Sequence, residues 1–166
     1  EQHPGVAYLY VLDTTRVMPQ IWRTFNITAD KVDDIKWEKV KDVPVKGWIM
    51  SIQIDPIDPN QFWLLYGINE PKEKFWRFDG ASYFDETSNL GWSKCESMIL
   101  QRGAEGRLYI GSNYGVFTKR KNESKWTLMT GLPGCQIKSL AINYRIGKLV
   151  VGTYGRGVWQ GDLVGK

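Results

Sequence analysis

The segment "LVVGTYGRGVWQGDL", Leu149 to Leu163, reads as a strand that breaks on glycine, carries Tyr154 and Arg156 in the break, and resumes as strand. Nearly the same arrangement stands earlier as "LYIGSNYGVFTKR", Leu108 to Arg120. A turn between adjacent strands often needs positive φ, which glycine adopts without steric cost. Gly155 and Gly157 therefore mark a tight reversal that leaves Tyr154 and Arg156 projecting at a sheet end, with Asn113 and Tyr114 in the matching place. A phosphate-binding loop does not explain these glycines, because no helix follows and no Lys-Ser/Thr is present.

The recurrence extends to whole units beginning at Trp48, Cys95 and Cys135. Each starts with an alternating apolar strand (Ile52/Ile54, Ile99, Leu140/Ile142) that runs into a polar or glycine-containing turn. A second strand ends on Gly67, Gly111 or Gly152, and a third opens on Phe75-Trp76, Val116-Phe117 or Val158-Trp159. The first two units add a fourth strand, at Tyr83-Phe84 and at Lys125-Trp126-Thr127. Four short antiparallel strands every ~40–45 residues is the pattern of a β-propeller blade. At the chain start, "VAYLYVLDTT", "PQIWRTFN" and "KWEKVKDVP" repeat the second to fourth strands, with Trp37 standing where Trp126 stands. Between them, "TADKVDDIKWEKV" reads as a long hairpin loop running into a strand at Trp37, with a helical turn after Thr28 or Asp30 as the rival.

The expected fold is all-β, built of propeller blades that are four-stranded antiparallel sheets. Residues 1–47 form a partial blade (second to fourth strands), 48–93 and 94–134 two blades, and 135–166 a final partial blade, all in one propeller domain. Blades of three, four, four and three strands leave two incomplete, so an incomplete propeller is expected, about half of a ring of roughly 6–8 blades. A closed four-bladed ring is the alternative, and it has to close with a misfit strand count. An open arc exposes sheet edges and apolar faces, which natural proteins avoid. The remainder of the same propeller, or another chain, is therefore expected along Val6 to Asp13 and Val158 to Leu163.

Composition agrees with this class. The chain has 166 residues, the length of one ordinary domain, with 13% aromatic residues and frequent glycine, which favours β structure. No apolar run approaches the roughly 18–20 residues needed to span a bilayer. "EQHPGVAYLY" lacks the basic start and apolar stretch of a signal peptide, which is compatible with one removed or lying on a longer precursor. The net charge of +4 is scattered; its densest cluster, Lys119 to Lys121 with Lys125 nearby, is explained by a solvated hairpin tip without a nucleic-acid partner.

Catalytic constellations are hard to assemble. A nucleophilic triad would depend on His3, the single histidine, in a terminus expected to fray. Glycoside hydrolysis needs paired carboxylates, for which Asp55, Asp58, Asp79, Asp85 and Glu86 are available. Asp55 and Asp58, however, lie in "DPIDPN", where Asp and Pro have ordinary turn roles. No zinc or calcium spacing is present, so neither metal nor cofactor is expected. Cys95 and Cys135 precede first strands in adjacent units, where a disulfide and two buried thiols fit equally.

Aromatic residues carry the best functional hint. Trp22, Trp48, Trp63, Trp76 and Trp92 either fill the space between sheets or stack on sugars and anchor interfaces. Trp48 and Trp92 fall nearest loops. With Asn113, Tyr114, Tyr154 and Arg156 they make up the candidate set for binding a glycan or protein ligand.

"GKLVVGTYGRGVW" resembles the closing blade of the sialidase-repeat, sortilin and xyloglucanase-like propeller superfamily. "LYIGSNYGVFTKRKNESKWTLMTGLP" resembles a preceding blade, and "IDPIDPNQFWLLYG" the linker between first and second strands. The likeness covers Trp48 to Leu163 and, more weakly, the preceding residues. It implies a secreted or cell-surface protein of the kind carried by gliding, Bacteroidetes-like bacteria with type IX secretion. The likeness speaks to fold rather than activity; with no catalytic constellation assembled and the aromatics as the best hint, the expected role is a non-catalytic scaffold or binding module. Alternatives are part of a xyloglucanase- or sialidase-like glycoside hydrolase whose site is shared with further blades, or a sortilin-like peptide binder. The family's Asp-box turn, S-x-D-x-G-x-x-W, is decayed: "KRKNESKW" keeps Trp126 without the Asp, and "RFDGASYF" keeps Asp79-Gly80 but has Tyr83.

Overall fold

The computed structural model describes residues 3–12, 18–67, 72–103, 106–132 and 134–165, arranged as four antiparallel sheets. Sheet I contains β1 (Ala7–Leu12), β2 (Pro19–Thr24) and β3 (Glu38–Lys39) in that order. Sheet II contains β4 (Ile49–Ile54), β5 (Phe62–Tyr66), β6 (Phe75–Phe78) and β7 (Tyr83–Asp85). Sheet III contains β8 (Cys95–Leu100), β9 (Leu108–Ser112), β10 (Gly115–Lys119) and β11 (Thr127–Leu128). Sheet IV contains β12 (Ile137–Asn143), β13 (Lys148–Thr153) and β14 (Val158–Asp162). Every connection within a sheet is antiparallel between neighbours in sequence, so each sheet is a meander. Asp13, at the edge of the first strand, and Pro133 lie outside the described residues.

The sheets stack face to face in chain order, and the second strands show why. Successive side chains of a strand point to opposite faces. Along β5, Phe62, Leu64 and Tyr66 join Ile21 and Val40 of sheet I in one core. Trp63 and Leu65 point the other way and join Met98, Leu108 and Ile110 of sheet III. Along β9, Leu108 and Ile110 face sheet II, while Tyr109 joins Ile137, Leu149 and Val151 of sheet IV. A strand buried on both faces reads as a continuous apolar run rather than an alternation, which is what "FWLLY" is. Each such side chain stabilises the stack by about 1.5–3 kcal/mol.

Sheets II, III and IV are built to one register. Each first strand carries a bulge after its opening residue, at Met50, Glu96 and Lys138. The serine that follows, Ser51, Ser97 or Ser139, pairs with Leu65, Gly111 or Gly152. This corrects the alignment expected from glycine alone. Gly67 matches Asn113 and Tyr154, whose amides donate to the residue before the first strand just as Gly67 donates to the Trp48 carbonyl. Gly111 serves close packing: a Cβ there would collide with Ser97 Oγ and with Ile137 Cγ2 from sheet IV. The residue at the same register in sheet II, Leu65, instead projects into the neighbouring core.

The fourth strands share a second rule. Val40, Glu86 and Met129 donate their amides to the carbonyls of Ile21, Phe75 and Val116, at 2.9, 2.9 and 2.8 Å. Three residues before each donor stands an aromatic, Trp37, Tyr83 or Trp126. The corresponding acceptor in sheet IV is Val158, and among the described residues no strand pairs with the outer edge of β14.

The long loop before β3 contains a single 3-10 turn, Val32–Asp34, and otherwise runs as hairpin loop into the strand. Asn26 organises it: the side-chain oxygen accepts from Lys36 N at 3.0 Å, and Nδ2 donates to the Asp34 carbonyl at 2.8 Å. The two hairpins likened above to decayed boxes are both closed by carboxylates. Asp79 Oδ1 accepts from Ala81 N and Ser82 N at 2.9 and 2.8 Å. In the hairpin lacking Asp, Glu123 Oε2 accepts from Arg120 N at 2.7 Å, so the carboxylate comes from the far side of the turn.

Two expectations are overturned. Lys119 is not at a solvated tip but buried at the end of β10, paired with Glu86 at 2.7 Å and lying over the rings of Phe75 and Trp126. Its stem continues the strand's alternation into the core between sheets II and III, where Glu86 supplies the counter-charge. Lys121 also turns inward, pairing with Asp55 and lying over the Trp63 ring. His3 is likewise held, donating from Nε2 to the Asp55 carbonyl at 2.7 Å.

Candidate functional site

Antiparallel pairing places the start of each first strand opposite the end of each second: Ile49 with Tyr66, Cys95 with Ser112, Ile137 with Thr153. The loops entering first strands and the turns leaving second strands therefore lie at the same end of every sheet. Trp48 precedes β4, Trp92 lies in the loop before β8, Tyr114 is in the β9–β10 turn, and Tyr154 and Arg156 are in the β13–β14 turn. Because the sheets stack, these separate loops make one rim. Trp48 is 65% exposed, Trp92 69%, Tyr114 56% and Tyr154 69%, unlike Trp22, Trp63 and Trp76 within the strands. Trp63 is fully buried in the core between sheets II and III, and Trp22 and Trp76 are half-buried.

Not every expected rim residue is available to a ligand. Asn113 is bound to the neighbouring loop, its Oδ1 accepting from Lys94 N at 2.8 Å and its own amide donating to the Lys94 carbonyl at 3.0 Å. Tyr154 is anchored through its backbone to Gln136, which leaves the ring free at the surface, with Lys138 Nζ 5.7 Å from its centroid. Gly155 and Gly157 adopt φ of 81° and 71°, the left-handed values that the reversal around Arg156 demands. The Arg156 side chain is exposed, and its carbonyl accepts from Trp159 Nε1 at 2.8 Å.

A charged cluster lies beneath the sheet III–IV part of the rim. Glu96, the bulge residue of β8, accepts from Lys138 Nζ at 2.5 Å and Gln136 Nε2 at 2.6 Å, with Lys94 Nζ at 3.4 Å. Burial alone pushes the Glu96 carboxyl upward, but the bonds from Lys138, Gln136 and Lys94 outweigh it and hold the group below the ordinary glutamate range. Glu96 and Lys138 escape a sequence reading because both are the extra residue of a bulge, which interrupts the alternation used to assign faces.

The carboxylates considered for glycoside hydrolysis are engaged in the architecture. Asp55 Oδ1 accepts from Ile57 N at 2.8 Å, and Asp85 Oδ1 from Thr87 N at 2.9 Å. Glu86 bridges Arg77 and Lys119, each at 2.7 Å. Asp58 is held below the ordinary carboxylate range chiefly by the Asn60 amide, and Asp79 by the amides of Ser82 and Ala81. Asp58 and Asp79, stabilised as anions in this way, are poor proton donors at neutral pH.

Cys95 and Cys135 are free thiols. Cys95 opens β8 and is buried, which pushes its pKa up to about 11. The residue at its register in sheet IV is Ile137, not Cys135, so the two cysteines do not occupy matching places. Among the described residues no helix is long and apolar enough to cross a membrane.

No family model matches this chain, and no curated protein matches it. The rim is therefore read from its chemistry: flat, exposed rings beside ammonium and guanidinium groups. Such a surface can stack on sugar faces or anchor an interface.

Proposed function

We propose that the chain is a segment of a β-propeller, of the sialidase-repeat, sortilin and xyloglucanase-like kind, in which the stacked sheets are blades. Its role is that of a non-catalytic scaffold presenting the aromatic rim to a glycan or protein ligand at the cell surface or outside the cell. The observation that carries the binding role is the gathering of Trp48, Trp92, Tyr114 and Tyr154 at one end of the stack, all more than half exposed. Four exposed rings in the loops at one end of three consecutive sheets have no packing purpose, whereas Trp63 and Trp126, at interior positions, are buried. The propeller reading is supported by sheets stacked in chain order with one register, one bulge position and one rule for the fourth strand. The uncovered outer faces favour an incomplete ring. Leu9 and Val11 are exposed on sheet I and Val158 on sheet IV, where further blades of the same ring would pack.

A glycan array probed with the chain and with a Trp92→Ala/Tyr154→Ala variant tests the rim. The expected result is a bound glycan whose affinity falls about tenfold or more in the variant, as loss of stacking anchors predicts. A glycan bound equally by both proteins would move the site elsewhere, and turnover of a bound glycan would favour the enzyme alternative.

A further inference from the structure

Resting on the binding role proposed above, we infer that Lys74 is a positioning residue of the rim. Its buried ammonium grips the backbone on both sides of Trp92 and fixes that residue as a pre-set anchor for a glycan.

Lys74 stands immediately before β6 and is fully buried. Its own amide donates to Thr87 Oγ1 at 2.9 Å, which sets the origin of the side chain. From there Nζ reaches the loop before β8, donating to the Gly91 carbonyl at 2.6 Å and to the Ser93 carbonyl at 2.8 Å. Those two residues flank Trp92, whose side chain is left exposed. Hydrogen bonds from an ammonium are charge-assisted and stronger than those between neutral groups. One side chain of sheet II thus holds the sheet III loop on either side of its exposed ring.

The start of the strand does not call for a lysine. Phe75, Val116 and Val158 pair with Leu65, Gly111 and Gly152, so the residues matching Lys74 in sheets III and IV are Gly115 and Gly157. A buried charge is costly unless it is well paired, and an apolar side chain of similar length would fill the space without that cost. It would, however, take this donor from the Gly91 and Ser93 carbonyls. The other ties of the loop lie at its two ends. Asn89 Oδ1 accepts from Trp126 N at 2.7 Å and its Nδ2 donates to the Trp126 carbonyl at 2.9 Å, while Asn113 Oδ1 accepts from Lys94 N at 2.8 Å. Between them, the turn that carries Trp92 has the Lys74 clamp and a backbone bond from Ser93 N to the Leu90 carbonyl at 3.1 Å. Fixing an anchor before the ligand arrives removes an ordering cost from binding.

Backbone amide NMR relaxation of the 166-residue protein reads the clamp without any ligand. The Trp92 amide should be as rigid as the strands in the parent protein, with an order parameter of about 0.85, and should fall below about 0.6 in Lys74→Met. That substitution keeps the apolar stem and removes the donor. The Trp48 amide should not change, whereas a general loosening of the fold would move both. The glycan array then reads the consequence. Affinity should fall about three- to tenfold in Lys74→Met, and the substitution should cost nothing further in a Trp92→Ala background. A mobile Trp92 amide in the parent protein would overturn the proposal, and this is measured even if Lys74→Met does not fold. So would a Lys74→Met protein in which Trp92 stays rigid, or a loss of affinity as large without the Trp92 ring as with it. No glycan bound, with Trp92 released in Lys74→Met, would sink the binding role and leave the clamp standing. A glycan that needs Trp92 but binds Lys74→Met unchanged would sink the positioning role alone.

Discussion

Sheets III and IV have the same first-strand bulge, the same serine–glycine pair and the same third-strand start, yet their third strands live in different environments. Val116 is fully buried, whereas Val158, at the same register, is 74% exposed. The difference lies in what covers each sheet: β11 closes the edge of β10 and sheet IV covers the face of sheet III. Strand and register thus follow from local pattern and pairing with the preceding strand, while burial is imposed by neighbours. A strand can be fully specified by its sequence and still be energetically incomplete.

The aromatics that open the fourth strands should separate these effects most widely. Trp126 is buried against Phe75, donates from Nε1 to the Glu86 carbonyl at 3.2 Å, and roofs the buried Lys119. Trp37 occupies the same register in sheet I but is 40% exposed, with no described sheet beyond it. Trp126→Ala should therefore cost about 3–5 kcal/mol of unfolding free energy, and Trp37→Ala about 1 kcal/mol or less. Urea denaturation of the two variants measures the contrast directly. Equal losses would mean that sheet I is covered in solution by something the isolated stack does not show.

A smaller contrast isolates the third strands themselves. Val116→Ala removes two methyl groups from the core between sheets III and IV and should cost about 2 kcal/mol. Val158→Ala removes them from solvent and should change stability by less than about 0.5 kcal/mol. A Val158→Ala cost as large as that of Val116→Ala would show that the outer face of sheet IV is covered in solution.

Much of this architecture was legible in the sequence, for identifiable reasons. The strand order, the equivalence of Trp37 and Trp126, and the long hairpin loop all follow from alternation and turn residues, which are local signals. The match of Gly67 with Gly111 was misleading because the two glycines do different jobs. One leaves the end of β5, and the other makes room for Ile137. Lys119 looks solvated from sequence because a run of basic residues resembles a surface, and its partner Glu86 is distant in sequence. The rim residues were visible one loop at a time. Only strand pairing and stacking put Trp48, Trp92, Tyr114 and Tyr154 at one end of the stack, and the Glu96 cluster beneath them is hidden by the bulge.

That cluster yields the smallest effect and the sharpest pH signature. Glu96 is nearly buried, while its partner Lys138 is about half exposed, so the pair should contribute below about 1 kcal/mol. Because its folded pKa is held below the unfolded one, the carboxylate's contribution is complete above the ordinary glutamate range. It is then lost as pH falls through the lowered folded value. Glu96→Gln should accordingly destabilise the protein near neutral pH and converge with the parent chain on acidification. Lys138→Met should narrow the pH-dependent gap, since Gln136 and Lys94 then remain as the partners that favour the anion. Thermal midpoints of the three proteins across the acidic range decide the point. A gap that persists unchanged to low pH would mean that Glu96 acts through packing at the bulge rather than through its charge.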